Sequence, residues 1–269
     1  MKNDMFLPGS PRRTQSVTSA EAPLPTPPTR VCCRGSALFL DVDGTLLPLA
    51  DHPRDVSLPR PLLERLVEIR TLVDGALALV SGRPLADLDR LFSPESFAAA
   101  GQHGAERRDG EGRLHRRDSH LPLLHRLRPG IIRCVAPLPG SWIEDKGLSL
   151  ALHIRGGSEP LERLRKSLES LLSEFPELDL LEGKNVLEIH PKAMDKGQAV
   201  EAFLVEPPFH GRRPIFLGDD VTDESAFEVV NRNRGLSIKV GDGPTRAHHR
   251  LETPETAVAW LSGLTRNLS

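Results

Sequence analysis

Short apolar runs alternate along the chain with segments in which apolar residues follow helical spacing. From Ser36 onwards, the strand-like runs are 37–42, 76–80, 97–100, 214–217 and 236–240. Between them, apolar positions recur at helical intervals, and these are Leu62, Leu63, Leu66, Val67, Ala199, Val200, Phe203, Leu204, Ala226, Phe227, Val229 and Val230. The alternation predicts an α/β fold with a mostly parallel sheet and helices on both faces.

The middle of the chain has a different pattern. It contains strand-like runs at 147–154 and 185–190, with a leucine-rich helix between them that begins near Ser158 and Pro160. Strands flanking a helix predict a smaller α+β unit inserted into the larger domain. We therefore expect a core domain formed by residues 36–104 and 194–269, and an inserted domain formed by residues 105–193.

Residues 1–35 are rich in Pro, Ser, Thr and Arg. They have too little apolar surface to offset the entropy of ordering, so we expect a disordered tail. The composition of the whole chain, with 38% hydrophobic and 27% charged residues, is typical of a soluble globular protein.

Charge and cysteine content narrow the function classes. The net charge of −2 does not indicate bulk binding to nucleic acid or to a membrane, and 4% aromatic residues without tyrosine argue against base stacking. No apolar stretch has the length of a transmembrane helix or the form of a signal peptide. Three cysteines, Cys32, Cys33 and Cys134, cannot all pair within the chain, which favours a reducing, cytoplasmic location.

Polar residues gather where the apolar runs end, and these are Asp41, Asp43, Ser81, His103, Asp219 and Asp242. In open α/β sheets, ligands bind at the carboxyl ends of the strands. Asp41 and Asp43 form either an acidic surface turn or a reactive pair. Residues 219–224 carry four acids in six positions, which is either an acidic first turn of a helix or a cluster that a cation compensates.

These residue types support phosphoryl chemistry. Carboxylates are ligands that Mg²⁺ prefers, and they can act as nucleophiles or as proton donors and acceptors. Ser81 and Lys196 offer donors for phosphoryl oxygens. Arg83, close to Ser81, either touches phosphate or holds its loop.

The order Asp41-x-Asp43-Gly-Thr, Ser81, Lys196 and Gly-Asp219-Asp-x-x-Asp223 resembles the four motifs of the haloacid dehalogenase superfamily. The resemblance implies a Rossmann-like core with an inserted cap domain. It implies that Asp41 is the nucleophile, that Asp43 is the general acid and base, and that Ser81 and Lys196 stabilise the phosphoryl group. It also implies a Mg²⁺ site formed by Asp41, the Asp43 backbone carbonyl and Asp219, with Asp223 supporting or joining the metal shell.

Four further segments, 101–106, 144–153, 182–191 and 195–197, resemble the trehalose-6-phosphate phosphatase family. That resemblance implies substrate-binding residues in the inserted domain, namely Glu144, Lys146, Arg155, Lys184 and Glu188. Gln102 and His103 are further candidates, although His103 could instead only close its loop. Strand alternation puts Lys184, Glu188 and His190 on one face and Leu187 and Ile189 on the other, whereas Lys146 and Arg155 differ in parity and need a turn near Gly147.

The implied activity is Mg²⁺-dependent hydrolysis of trehalose 6-phosphate through an aspartyl-phosphate, in trehalose biosynthesis. The expected partner is this small molecule, with no nucleic acid and no membrane; the oligomeric state is open and a monomer is compatible with the sequence. Two alternatives remain at this point. One is a phosphatase for another sugar phosphate or a phosphoglycerate glycoside, and the other is a non-catalytic regulatory homologue.

Overall fold

A computed structural model describes residues 23–50, 56–155, 158–183, 185–192 and 194–266. Its strands are β1 (Ser36–Leu40), β2 (Leu77–Val80), β3 (Ala98–Gly101), β4 (Glu106–Arg108), β5 (Leu114–Arg116), β6 (Trp142–Asp145), β7 (Leu150–His153), β8 (Leu178–Gly183), β9 (Val186–Pro191), β10 (Arg213–Gly218), β11 (Leu236–Val240) and β12 (His249–Leu251). Its helices are α1 (Arg60–Leu72), α2 (Leu85–Leu91), α3 (Leu121–Val135), α4 (Ser158–Leu172), α5 (Lys196–Leu204), α6 (Glu224–Arg232) and α7 (Pro254–Arg266). The predicted α/β class is confirmed.

The larger sheet has eight strands in the order β12-β11-β10-β1-β2-β3-β4-β5. The six strands from β12 to β3 are parallel, and β4 and β5 extend the sheet in antiparallel pairing. The chain moves from β1 to β2 in one direction and from β10 to β11 in the other, so right-handed crossovers put α1 and α6 on opposite faces. Every residue of β1, β2 and β11 is buried, as expected for parallel strands covered on both sides.

The smaller sheet is antiparallel, in the order β6-β7-β9-β8. Leu187 and Ile189 of β9 are fully buried in a cluster that includes Leu164 and Leu168 of α4. The predicted division of β9 into an apolar face against the helix and a polar face is therefore confirmed. Burying such leucine side chains contributes about 1.5–3 kcal/mol each, which is what gives this unit its own core.

Two segments differ from their predicted place in the domain scheme. Residues 106–116, expected in the inserted unit, form β4 and β5 and pair with the larger sheet. Sheet membership therefore favours a first boundary after Arg116, while the remaining domain limits stay predictions. Apolar periodicity did not indicate these strands because each has only three residues, and most of those residues are charged.

The second difference concerns the expected disordered tail. Residues 1–22 lie outside the described residues, but residues 23–35, although mostly exposed, make several contacts with the core. The Pro25 carbonyl accepts a hydrogen bond from Arg250 N at 3.0 Å, and the Pro28 carbonyl accepts one from Trp260 Nε1 at 3.0 Å. Cys33 is buried in the main core cluster. Composition did not indicate these contacts because they are made by backbone carbonyl groups, which every residue carries whatever its side chain.

Within the described part of the chain, no helix has both the length and the apolar composition needed to span a bilayer.

Candidate active site

Three chain segments meet at the carboxyl end of the parallel strands. Asp41 directly follows β1, Ser81 follows β2 and Asp219 follows β10, and β1 lies between the other two strands. The Asp41 amide continues the pairing by donating to the Leu217 carbonyl at 3.0 Å. The structure therefore brings these predicted residues to one edge of the sheet.

Lys196 connects two of the acidic residues. Its ammonium donates to Asp41 Oδ1 at 2.7 Å and to Asp223 Oδ1 at 2.7 Å, and the lysine is only 3% exposed. Burial opposes the charged form of this lysine, but the two carboxylates outweigh burial and raise its pKa. Lys196 begins α5 and is positioned by Asp195, whose carboxylate caps the helix by accepting from Gln198 N at 2.9 Å.

Asp223 is held from its other side by backbone donors. Its Oδ2 accepts hydrogen bonds from the amides of Asp219 and Asp220, both at 2.9 Å. The prediction left open whether Asp223 binds metal directly or supports the shell. Its two oxygens are engaged by Lys196 and by the loop that carries Asp219, so this geometry favours support.

Thr45 and Gly44 join Asp41 to Asp219. The Thr45 hydroxyl lies 3.0 Å from Asp41 Oδ2 and 3.1 Å from Asp219 Oδ1. Gly44 has φ +82°, and a Cβ at this position would collide with the Asp219 carboxylate. Glycine is therefore required here both for the turn and for the close approach of the two loops.

The carboxylates crowd together in a way that suits a divalent cation. Oxygens of Asp41, Asp219 and Asp223 lie within 4.8 Å of one another. Burial, with a further contribution from Asp219, raises the pKa of Asp41 to about 7, although Lys196 opposes the rise. Burial and the neighbouring Asp223 also raise the pKa of Asp219. Lys196 binds two of these three carboxylates and does not bind the third, and hard oxygen donors of this kind fit a divalent metal ion.

Asp43 lies in the same loop but has a different partner. Its two carboxylate oxygens accept from Arg83 Nε and Arg83 Nη2, each at 2.6 Å. The Asp43 side chain is 30% exposed while that of Arg83 is 7% exposed. The sequence left two roles open for Arg83, which were contact with phosphate and a structural role in its loop. The geometry adds a third role, because Arg83 binds the Asp43 carboxylate.

Gln102 and His103 form a strained turn after β3. Both have positive φ, 47° and 57°, which is uncommon for residues with side chains. The Gln102 amide accepts from Leu148 N at 3.0 Å and donates to Glu106 Oε1 at 3.1 Å, so it links the two sheets rather than facing open space. The His103 ring lies over Gly82, next to Ser81, and burial lowers its pKa.

Glu188 is the buried centre of the polar face of the smaller sheet. Its carboxylate accepts from Lys146 Nζ at 2.7 Å and from Ser149 Oγ at 2.7 Å, and its Oε2 lies 3.7 Å from His103 Nε2. Burial opposes the charged form, but Lys146 and His103 outweigh it and lower the pKa of Glu188. The predicted turn near Gly147 is present between β6 and β7 and directs Lys146 at Glu188.

The remaining predicted substrate residues differ in position. Glu144 on β6 is bound to His153 at 2.8 Å, a contact that lowers the pKa of Glu144. Arg155 lies beyond β7, at the other end of the hairpin from Lys146, where it is exposed and its guanidinium is 5.8 Å from the Trp142 ring centroid. The structure therefore does not bring Arg155 together with Glu188. Lys184 lies outside the described residues.

A cavity of about 700 Å³ opens between the two units, next to Lys196 and His103. Its walls carry polar side chains from both units, including Asp179, His190 and Lys192 from the smaller unit and Thr222, Glu224 and Arg246 from the larger. A volume of this size is typical of sites for small molecules.

Sequence reasoning missed several of these side chains. Thr45, Ser149 and Lys239 contact the acidic clusters, Lys239 through a hydrogen bond from its Nζ to the Asp219 carbonyl. Lys239 is 5% exposed within the buried strand β11. A lysine inside an otherwise apolar strand was the available signal, because buried lysines are rare unless they are paired.

The α/β core, the inserted second sheet and the acidic cluster at the strand ends define a phosphatase of the haloacid dehalogenase class. A solved structure described as a trehalose-6-phosphate phosphatase related protein is similar to this chain, with a TM-score of 0.72 at 27% identity, covering 86% of this chain and 97% of that one.

Sequence comparison gives the family. The trehalose-phosphatase family profile matches residues 39–255. Trehalose-6-phosphate phosphatase from Escherichia coli K12 is 42% identical over 234 residues, which is 86% of this chain and 87% of that protein. A probable trehalose-phosphate phosphatase from Sinorhizobium fredii is 47% identical over 206 residues, or 76% and 77% of the two chains. The chain belongs to the trehalose-phosphatase family. Membership implies a phosphatase enzyme with a sugar-phosphate substrate and a divalent metal ion.

Proposed function

We propose that this protein is a Mg²⁺-dependent phosphatase that hydrolyses trehalose 6-phosphate to trehalose and phosphate. The observation that carries the proposal is the buried Asp41 carboxylate, bound by Lys196 and Thr45 beside Asp219, at the strand end that faces the smaller unit. The relatives' names supply the substrate, and the polar face of the smaller sheet around Glu188 supports it, because a disaccharide offers many hydroxyls to fixed charges.

The proposed chemistry has two steps. An Asp41 oxygen attacks phosphorus, the bond between phosphorus and the sugar oxygen breaks, and Asp43 gives its proton to that oxygen. Asp43 then takes a proton from water, whose oxygen attacks phosphorus and releases phosphate from Asp41. Lys196 and Ser81 stabilise the phosphoryl oxygens throughout.

Mg²⁺ would be held by Asp41, Asp219 and the Asp43 carbonyl, and when bound it supplies positive charge to the phosphoryl oxygens. Glu188 and Lys146, with Glu144 beside them, would bind the sugar hydroxyls while the smaller unit excludes bulk water. The described cysteines Cys32, Cys33 and Cys134 are all free thiols, which supports a cytoplasmic location.

Phosphate release from a panel of sugar phosphates, with Mg²⁺ and with EDTA, tests the proposal. We expect trehalose 6-phosphate to give the highest kcat/KM, and we expect turnover to require Mg²⁺. A flat profile across the panel would reject the substrate, and binding without phosphate release would point to a regulatory homologue.

Asp41→Asn tests the nucleophile. It should reduce turnover by roughly a thousandfold or more, because the amide cannot form the acyl-phosphate intermediate. Asp242→Asn is the matched control, since Asp242 is exposed after the parallel strand β11 and should tolerate the change. Near-normal turnover by Asp41→Asn would overturn the assignment.

A further inference from the structure

Arg83 binds Asp43 with a geometry that fixes the direction of the carboxylate. Two guanidinium nitrogens each lie 2.6 Å from a different oxygen of Asp43, which is the parallel, two-bond arrangement that arginine forms with carboxylates. A single contact would let the carboxylate rotate, whereas two parallel bonds fix both its plane and its distance. Burial opposes the charged form of Arg83, but Asp43 outweighs it and raises the arginine pKa.

The arginine itself is held by the loops that form the site. Its amide donates to Ser81 Oγ at 3.2 Å, and its carbonyl accepts from Gln102 N at 3.0 Å. Its side chain is 7% exposed, whereas 30% of the Asp43 side chain remains exposed. Arg83 therefore supports Asp43 from the buried side and leaves it accessible from the solvent side.

We propose that Arg83 is a positioning residue for proton transfer by Asp43, a role that rests on the proposed function of this site. The two-bond contact between the Arg83 guanidinium and Asp43, here called the fork, keeps the Asp43 carboxylate oriented towards the oxygen that leaves with the sugar. When Asp43 carries its proton, the oxygen without the proton still accepts one bond from Arg83, so the orientation persists through the transfer.

Proton donation matters only when the leaving oxygen is a poor leaving group. A sugar alkoxide needs the proton as its bond to phosphorus breaks, but 4-nitrophenolate is stable as an anion and needs little help. A residue that positions the general acid should therefore affect a sugar phosphate far more than 4-nitrophenyl phosphate. A residue that binds phosphate, or that only supports the fold, should affect both substrates alike.

The experiment compares kcat/KM for trehalose 6-phosphate and 4-nitrophenyl phosphate in wild type, Arg83→Gln and Arg83→Lys. This parameter covers the steps up to departure of the leaving group. We expect Arg83→Gln to lose about ten- to a hundredfold on trehalose 6-phosphate and less than about threefold on 4-nitrophenyl phosphate. Arg83→Lys keeps the charge without the fork, so we expect the same selective loss. Equal losses on both substrates would overturn the proposal, as would no loss on either.

Arg107→Gln is the matched control. Arg107 on β4 is similarly buried and forms a two-bond pair with Glu206, which follows α5, at 2.6 and 2.9 Å. Arg107→Gln should leave the ratio of kcat/KM for the two substrates unchanged. Thermal unfolding of all variants shows whether each one is folded. A change of the ratio in Arg107→Gln would overturn the reasoning.

A double variant gives an independent readout. If Arg83 acts through Asp43, then Arg83→Gln combined with Asp43→Asn should be no slower on trehalose 6-phosphate than Asp43→Asn alone. Additive losses would overturn the proposal. The wild-type measurement reports on the proposed function separately: a wild type that turns over trehalose 6-phosphate while Arg83→Gln loses both substrates equally would refute only the role of Arg83.

Discussion

Replacing Lys196 with methionine tests how the acidic cluster is stabilised. The ammonium lies 2.7 Å from Asp41 and 2.7 Å from Asp223, and the lysine is 3% exposed. Burial raises the pKa of Asp41 to about 7 and that of Asp223 to about 6 even with the lysine present. Without it, Asp41 and Asp223 lose the ammonium that binds both of them, and they stay close to each other and to Asp219.

The size of the effect follows from breaking buried ion pairs. Removing one partner of such a pair typically destabilises a protein by about 3–5 kcal/mol, because the other charge stays buried and unpaired. We therefore expect Lys196→Met to lose about 3–5 kcal/mol of unfolding free energy at pH 8 in EDTA. The loss should be smaller at pH 5, below the raised pKa values, since protonated carboxyl groups repel each other less.

The sign of the pH dependence can be worked out for each group. A carboxyl whose folded pKa is raised binds more protons in the folded state, so its contribution to stability falls as pH rises from about 4 to the folded value near 7. Lys196 has a raised pKa, so its contribution is present at both pH 5 and pH 8 in wild type. Lys196→Met loses this contribution at both pH values, but the repulsion between the Asp41 and Asp223 carboxylates is greatest at pH 8, where both are ionised.

Urea unfolding at pH 5 and pH 8, in EDTA and in excess Mg²⁺, measures these terms. Lys166→Met is the matched control, because Lys166 is 69% exposed and its pair with Glu162 spans 3.3 Å on the surface of α4. An exposed pair of this kind contributes about 0–1 kcal/mol. A loss by Lys196→Met of less than about 1 kcal/mol at pH 8 in EDTA, or of as much at pH 5 as at pH 8, would show that Lys196 does not stabilise the acidic cluster in this way.

Three further predictions follow from the same geometry. Gly44→Ala should weaken activation by Mg²⁺ and destabilise the fold by about 1–3 kcal/mol, because Gly44 has φ +82° and an added Cβ would collide with Asp219. The control Gly112→Ala should lose only stability, because Gly112 has φ +83° but open space around it. Mg²⁺ titration of activity and urea unfolding measure the two effects. Glu188→Gln should raise KM for trehalose 6-phosphate at least about tenfold and leave 4-nitrophenyl phosphate nearly unaffected, because the change alters the polar face proposed to bind the sugar and none of the residues proposed to bind the phosphoryl group; equal effects on both substrates would contradict this role. Mg²⁺ should raise the melting temperature more at pH 8 than at pH 5, because Asp41, with its pKa raised to about 7, must lose a proton before it binds metal; an equal rise at both values would contradict the site.

The sequence predicted the reactive edge of the sheet well because the order and direction of the strands determine which residues meet there. Apolar runs identify β1, β2 and β10, and parallel strands bring their carboxyl ends together, so Asp41, Ser81 and Asp219 could be assigned to one site. The pairing of Arg83 with Asp43 could not be predicted in this way. It depends on the side-chain directions of two loops 40 residues apart, and local periodicity carries no information about those directions.

Errors arose where short or polar segments are stabilised by tertiary contacts. The strands β4 and β5 have three residues each, with β5 entirely exposed, and they belong to the larger sheet only because β3 offers an edge to pair with. Composition likewise assigned residues 23–35 to a disordered tail. Their carbonyl groups find donors on Arg250 and Trp260, which follow more than 200 residues later.

Sugar recognition and phosphoryl chemistry are proposed on different sheets, and one turn connects them. Gln102 extends from β3 to the hairpin that carries Lys146 and Ser149, and both of these residues bind Glu188. A sugar hydroxyl can donate to Glu188 while accepting from Lys146, so it can join this network without leaving either charge unpaired. A deoxy sugar at that position could not. The deoxy sugar would lack these charge-assisted hydrogen bonds while Lys146 and Glu188 keep their own pair, so we expect it to bind more weakly than trehalose 6-phosphate.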